Sequence, residues 1–202
     1  MGNWYTNVAV KGAVQAQVVA LLEELGHRAY VTPDTSGWIV VYDQQTDEFD
    51  LGLLESLALT LSTRLSCVTL ASCNADDDVL WLALYENGNL ATRYASSRSA
   101  FEDGNEFPDL QEAAEVLTRV FAMPEAKKLV LRVLGKSHGF LGLLNFVFKT
   151  RVAYLFEVER HLDLAKLLGM PRAAVGLGYS YVNRGETPEG VDRAALRRTM
   201  IG

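Results

Sequence analysis

Residues 135–139 read Gly-Lys-Ser-His-Gly, the spacing of a nucleophile elbow, in which a sharp turn lifts a serine hydroxyl towards an acyl substrate. An elbow needs a buried strand before it, yet "PEAKKLVLRVL" (124–134) has helical spacing. Downstream of Gly139 the only histidine is His161, and Glu157 and Glu159 are the only acids before it. A base and its orienting acid so close on one helix are poorly placed for a relay to Ser137. The same residues would close a phosphate-binding loop only if Val130 were glycine. Cys67 and Cys73 lie six apart on a predicted strand, so they share a face about 20 Å apart and can neither pair nor hold one metal. Cys73, at the strand end, is the second candidate nucleophile. Asp76, Asp77 and Asp78 are the densest carboxylates, but they lack the alternation and glycine of a calcium loop. None of His27, His138 and His161 shows metal-ligand spacing. The reading is therefore of no metal and no cofactor.

"LAKLLGMPRAAVGLGY" (164–179) resembles the start of a helix-turn-helix, with Ala165 at the helix crossing, Gly169 at the turn and Val175 as an anchor. The resemblance covers only this piece. Gly176 and Gly178 stand where the second helix should continue, each weakening a helix by roughly 1 kcal/mol. A DNA-binding regulator using residues 164–179 is thus one alternative, and nucleic acid is a disfavoured partner. The tail "GYSYVNRGETPEG" (178–190) groups Tyr179, Tyr181, Arg184 and Glu186 between turn-forming residues. These four are the candidate binding residues, since aromatic and charged anchors dominate contact energies. The same tail also suits a structural strap with buried tyrosines and a local Arg184–Glu186 pair.

Several elements must position these groups. "NWYTNVAV" is strand-like, and Ala13–Leu25 then carries Val14, Val18, Leu21, Leu22 and Leu25 on one helical face. "RAYV" and "GWIVVYD" follow around the turn "TPDTSG". Asp50 caps a helix with Leu54, Leu57, Ala58, Leu61 and Leu65 inward, and "SCVTLAS" completes a β-α-β-β-α-β order. A hairpin turning at Asn87-Gly88 extends it, and its strand "VLWLALY" reads as covered on both sides. Beyond the polar stretch "SSRSAFEDGNEFPD" the chain turns helical. Asp109 and Glu112 form a capping box, a helix near 124–135 buries Leu129, Val130, Val133 and Leu134, and another spans Glu157–Leu168. Residues 140–156 suit helix or strand.

The fold class expected is α+β: a ferredoxin-like βαββαβ half with a hairpin (1–98), and a mainly helical, mildly basic half packed on it (107–202). With 49% hydrophobic residues the chain can bury a substantial core. The net charge of −6 hides a split: residues 1–106 carry 5 basic and 15 acidic side chains, whereas 107–202 carry 14 and 10. The longest apolar stretch, 139–148, is about half of the roughly 20 residues that a spanning helix needs. A cytoplasmic setting is expected from two lone cysteines and no signal peptide. No catalytic constellation is complete, so the expectation is a non-catalytic protein-binding or regulatory module whose partner is another protein, without membrane contact. A homodimer is compatible with it. The enzyme alternative is a hydrolase using Ser137 or Cys73.

Overall fold

The computed structural model describes residues 2–100, 107–137 and 153–200. Among them the chain is mixed α/β, with a seven-stranded antiparallel sheet covered on both faces by helices. The strands are β1 (Tyr5–Lys11), β2 (Ala29–Val31), β3 (Trp38–Asp43), β4 (Val68–Ala75), β5 (Val79–Glu86), β6 (Asn89–Ala95) and β7 (Arg197–Arg198), in the order β6-β5-β4-β1-β3-β2-β7. The helices are α1 (Gln15–Glu24), α2 (Leu51–Leu65), α3 (Leu110–Val120), α4 (Lys127–Gly135), α5 (Glu157–Leu167) and α6 (Tyr179–Asn183). None of the described helices is long and apolar enough to cross a membrane.

Strand side chains alternate between the two faces, and here both sides of the alternation are apolar because both faces are covered. Ile39, Val41, Ala71, Trp81 and Ala83 point to the layer formed by α1 and α2, where Leu22, Leu54, Leu57 and Leu61 meet them. Trp38, Val40, Leu70, Leu80, Leu82 and Leu84 point to the opposite layer, built from α3, α4, α5 and the residues after α5. That second layer and the sheet share one continuous core. The α2 helix starts where Asp50 accepts a hydrogen bond from the Leu53 amide, and α3 where Asp109 accepts from Gln111 and Glu112. Asn87 and Gly88 turn the β5–β6 hairpin at φ of 51° and 80°.

Three inward assignments need correction. Leu129 is 46% exposed, because the first turn of α4 rotates it away from the neighbouring α3 while Val130, Val133 and Leu134 stay buried. Val14 and Leu25 are also exposed, since they flank α1 as its caps and not as members of its buried face. Within the ambiguous segment 140–156, positions up to 152 lie outside the described residues. Ala153 and Tyr154 are buried.

Candidate binding surface and the polar layer beneath it

After α5 the chain turns at Gly169, makes one 3-10 turn over Arg172–Ala174, bends again at Gly176 (φ 85°) and so reaches α6. Ala173 and Ala174 are buried in that turn. The short α6 is seated on the sheet by Asp47, whose carboxylate accepts from the Tyr179 amide at 3.0 Å and the Ser180 amide at 2.9 Å. Only glycine fits before it: a Cβ on Gly178 would lie 2.5 Å from Asp47 Oδ1 and 3.3 Å from the Thr6 amide nitrogen. The four sequence-predicted binding residues therefore separate. Tyr179 is buried, its ring 5.4 Å from that of Tyr30. Tyr181 is half-buried beneath the Arg184 guanidinium, 5.0 Å from its centroid. Glu186 is exposed, and its backbone carbonyl accepts from Arg193.

Sequence reasoning missed the residues that Tyr181 and Arg184 join. The Tyr181 hydroxyl accepts a long hydrogen bond, 3.5 Å, from the backbone amide of Trp4. The indole of Trp4 is 42% exposed, meets Phe49 edge-on at 4.8 Å between centroids, and donates from Nε1 to Asp76 at 2.8 Å. Phe49 sits at φ 64°, in the left-handed region that a bulky side chain enters at a cost of roughly 1–2 kcal/mol. Its chain neighbours Glu48 and Asp50 are exposed, as is Asp76. The result is an aromatic patch, Trp4–Phe49–Tyr181, with one guanidinium and an acidic rim. The one signal for it in the sequence was a phenylalanine inside an acidic stretch; Trp4 reads there as part of the strand, and the structure places it just before β1.

Beneath this surface, between β1/β4 and α5, lies a buried polar layer. The Tyr5 hydroxyl is 2.7 Å from His161 Nδ1, and the two rings stack at 5.9 Å. Burial pushes the Tyr5 phenol well above its ordinary pKa, only partly offset by the Gly176 amide beside its oxygen. Burial also lowers His161 to about 4. Both groups are therefore neutral at pH 7. Because the Tyr5 oxygen already accepts from the Gly176 amide and its proton has His161 Nδ1 as partner, we assign the phenol as donor to Nδ1, which leaves the ring proton on Nε2.

Asp77 ties this layer to α5. Its carboxylate accepts from the Asn3 amide at 2.8 Å, from Asn74 Nδ2 at 2.8 Å and from the Val158 amide at 3.2 Å. Arg160 is buried with Glu157 in a 2.7 Å ion pair, and it also donates to the Val133, Leu134 and Lys136 carbonyls at the end of α4. Four buried atoms on this side of the sheet lack a partner among the described residues: Asn7 Oδ1, Ser72 Oγ, Asn74 Oδ1 and His161 Nε2. An unsatisfied buried polar group costs about 1–3 kcal/mol.

The other sequence candidates fall elsewhere. Ser137 follows a helix, α4, and its carbonyl accepts from the Tyr154 amide; His138 lies outside the described residues. Nδ1 of His161 engages Tyr5. Cys67 and Cys73 are free, buried thiols on the α1/α2 side, and burial pushes Cys73 up to about 12. Compared with protein-family models, with curated proteins and with solved structures, the chain matches none.

Proposed function

We propose that this chain is a non-catalytic protein-binding module that contacts a partner protein through Trp4, Phe49, Tyr181 and Arg184. The observation that carries this reading is the half-exposed indole of Trp4, fixed against a backbone-strained Phe49 and oriented by Asp76. Tryptophan, tyrosine and arginine supply much of the energy at protein interfaces, and anchors already held in place lose little entropy on binding. Glu48, Asp50 and Asp76 around the rings favour a partner segment carrying lysine or arginine, because a cation gains from both the aromatic faces and the acidic rim. The same rim disfavours nucleic-acid phosphates. In this reading Tyr179 and the buried Ala173–Ala174 turn hold the surface in place.

On the fold, we infer that the first half is ferredoxin-like, on the support of the inner strand order β4-β1-β3-β2 and its two covering helices. Its acidic balance against the basic second half supports treating 1–98 and 107–202 as two units with one shared core.

The test is selection from a peptide-display library against the purified chain, followed by titration of the enriched peptides. Enriched sequences should be basic, and Trp4→Ala should weaken them by about 2 kcal/mol, roughly 30-fold. Leu129→Ala, at an exposed leucine on α4, should leave affinity unchanged. Binding that ignores Trp4→Ala would overturn the proposal.

A further inference from the structure

The four unpartnered atoms are not scattered. Asn7 and Ser72 face each other across β1 and β4, as do Tyr5 and Asn74, and all four residues point to the α5 side. Directly paired side chains in an antiparallel sheet start about 4.5–5.5 Å apart at Cβ. From above, α5 contributes His161, hydrogen-bonded to Tyr5, and Val158, whose amide shares Asp77 with Asn74. The Asn7 amide nitrogen is held by the carbonyls of Ala174 and Leu177, so its oxygen has a fixed direction. A fifth unpartnered atom, Trp81 Nε1, is separate, on the opposite face of the sheet.

The chemistry of the set is specific. Asn7 Oδ1 and Asn74 Oδ1 only accept, His161 Nε2 with its proton only donates, and the Ser72 hydroxyl does either. Two acceptors, one donor and one of either kind match a ligand that offers two protons and two lone pairs. Left unmet, four such costs together would rival the net stability of a whole domain. Buried water resolves such clusters by making two to four hydrogen bonds to groups otherwise unsatisfied.

We propose that the layer between β1/β4 and α5 is an internal hydration site, in which ordered water joins Asn7, Ser72, Asn74 and His161. It is a binding site for water built into the packing of the second layer on the sheet. It stands independently of the peptide-binding surface above.

Water-selective cross-relaxation NMR on the labelled full chain tests it. Expected are cross-peaks, with the sign of a long-lived bound water, at the Asn7 and Asn74 side-chain amides and at the His161 ring. Their absence would overturn the proposal. Ser72→Ala gives a second readout: the folding equilibrium constant should fall about tenfold, since a satisfied hydrogen bond is removed. An unchanged or increased constant would mean that the hydroxyl had no partner, and would equally sink the idea.

Discussion

The two faces of the sheet use the same strands for different ends. On the α1/α2 face, Val8, Val10, Ile39, Val41 and Ala71 meet leucines, and the polar groups there find protein partners: Thr69 Oγ1 bonds the Ala58 carbonyl and Ser62 Oγ bonds that of Cys67. Trp81 Nε1 is the exception. On the other face, aliphatic packing under α3 and α4 gives way to Tyr5, Asn7, Ser72 and Asn74 under α5. Apart from the Tyr5 ring, burying those groups brings little hydrophobic gain, and it makes this part of the second layer depend on how completely each polar atom is met. The first face is held by volume throughout, whereas the α5 end of the second is held by hydrogen-bond geometry as well.

The largest expected effect separates these two regimes directly. Arg160→Ala leaves Glu157 charged and buried and uncovers the last carbonyls of α4, and should cost about 3–5 kcal/mol by chemical denaturation. Leu61→Ala on the dry face loses packing alone, at about 2–5 kcal/mol. The contrast between them is chemical: Leu61→Met should recover most of the loss, whereas Arg160→Lys, without the planar fork, should not.

Next in size is a pH effect confined to the polar face. His161 has a folded pKa of about 4 against roughly 6.5 when unfolded, so the unfolded chain takes up its proton first as pH falls. Its contribution is fully present above pH 6.5 and is lost progressively down to pH 4, by about 3 kcal/mol. Tyr5, Asp77, Glu157 and Arg160 surround the region. Denaturation curves of the native chain and His161→Gln at pH 7 and pH 4.5 should converge in acid.

The smallest effect sharpens the dry side. Burial holds Cys73 at about 12 and Cys67 at about 11, so neither thiol should react measurably with a thiol-directed reagent at pH 7.5 until the chain is unfolded. Rapid labelling of Cys73 in the native state would show that α1 and α2 do not seal this face.

This contrast also explains what the sequence disclosed. Aliphatic spacing announced α2, α3 and the hairpin, because volume packing leaves a periodic signature. The polar layer left none: Asn7, Ser72 and Asn74 are polar positions scattered within strands, and nothing in their spacing marks them as facing one another across β1 and β4. Trp4 was absorbed into its strand for the same reason, and the exposure that gives it interest depends on Phe49 and Tyr181 arriving from 45 and 177 residues away. β7 is two exposed arginines that pair with Tyr30 and Val31, the Arg198 guanidinium also lying 5.5 Å from the Tyr30 ring centroid, and an Arg-Arg dipeptide carries no apolar alternation that could reveal a strand.

That small strand has a consequence for biosynthesis. Ala29 and Thr199 exchange hydrogen bonds across 170 residues, and the Met200 amide reaches Glu23. At roughly 5–20 residues per second a ribosome needs on the order of 10–30 s to supply the cover for β2. Until then a nascent chain presents a bare strand margin to its neighbours on the polysome, so slowing translation through the final third should raise the yield of misassembled protein.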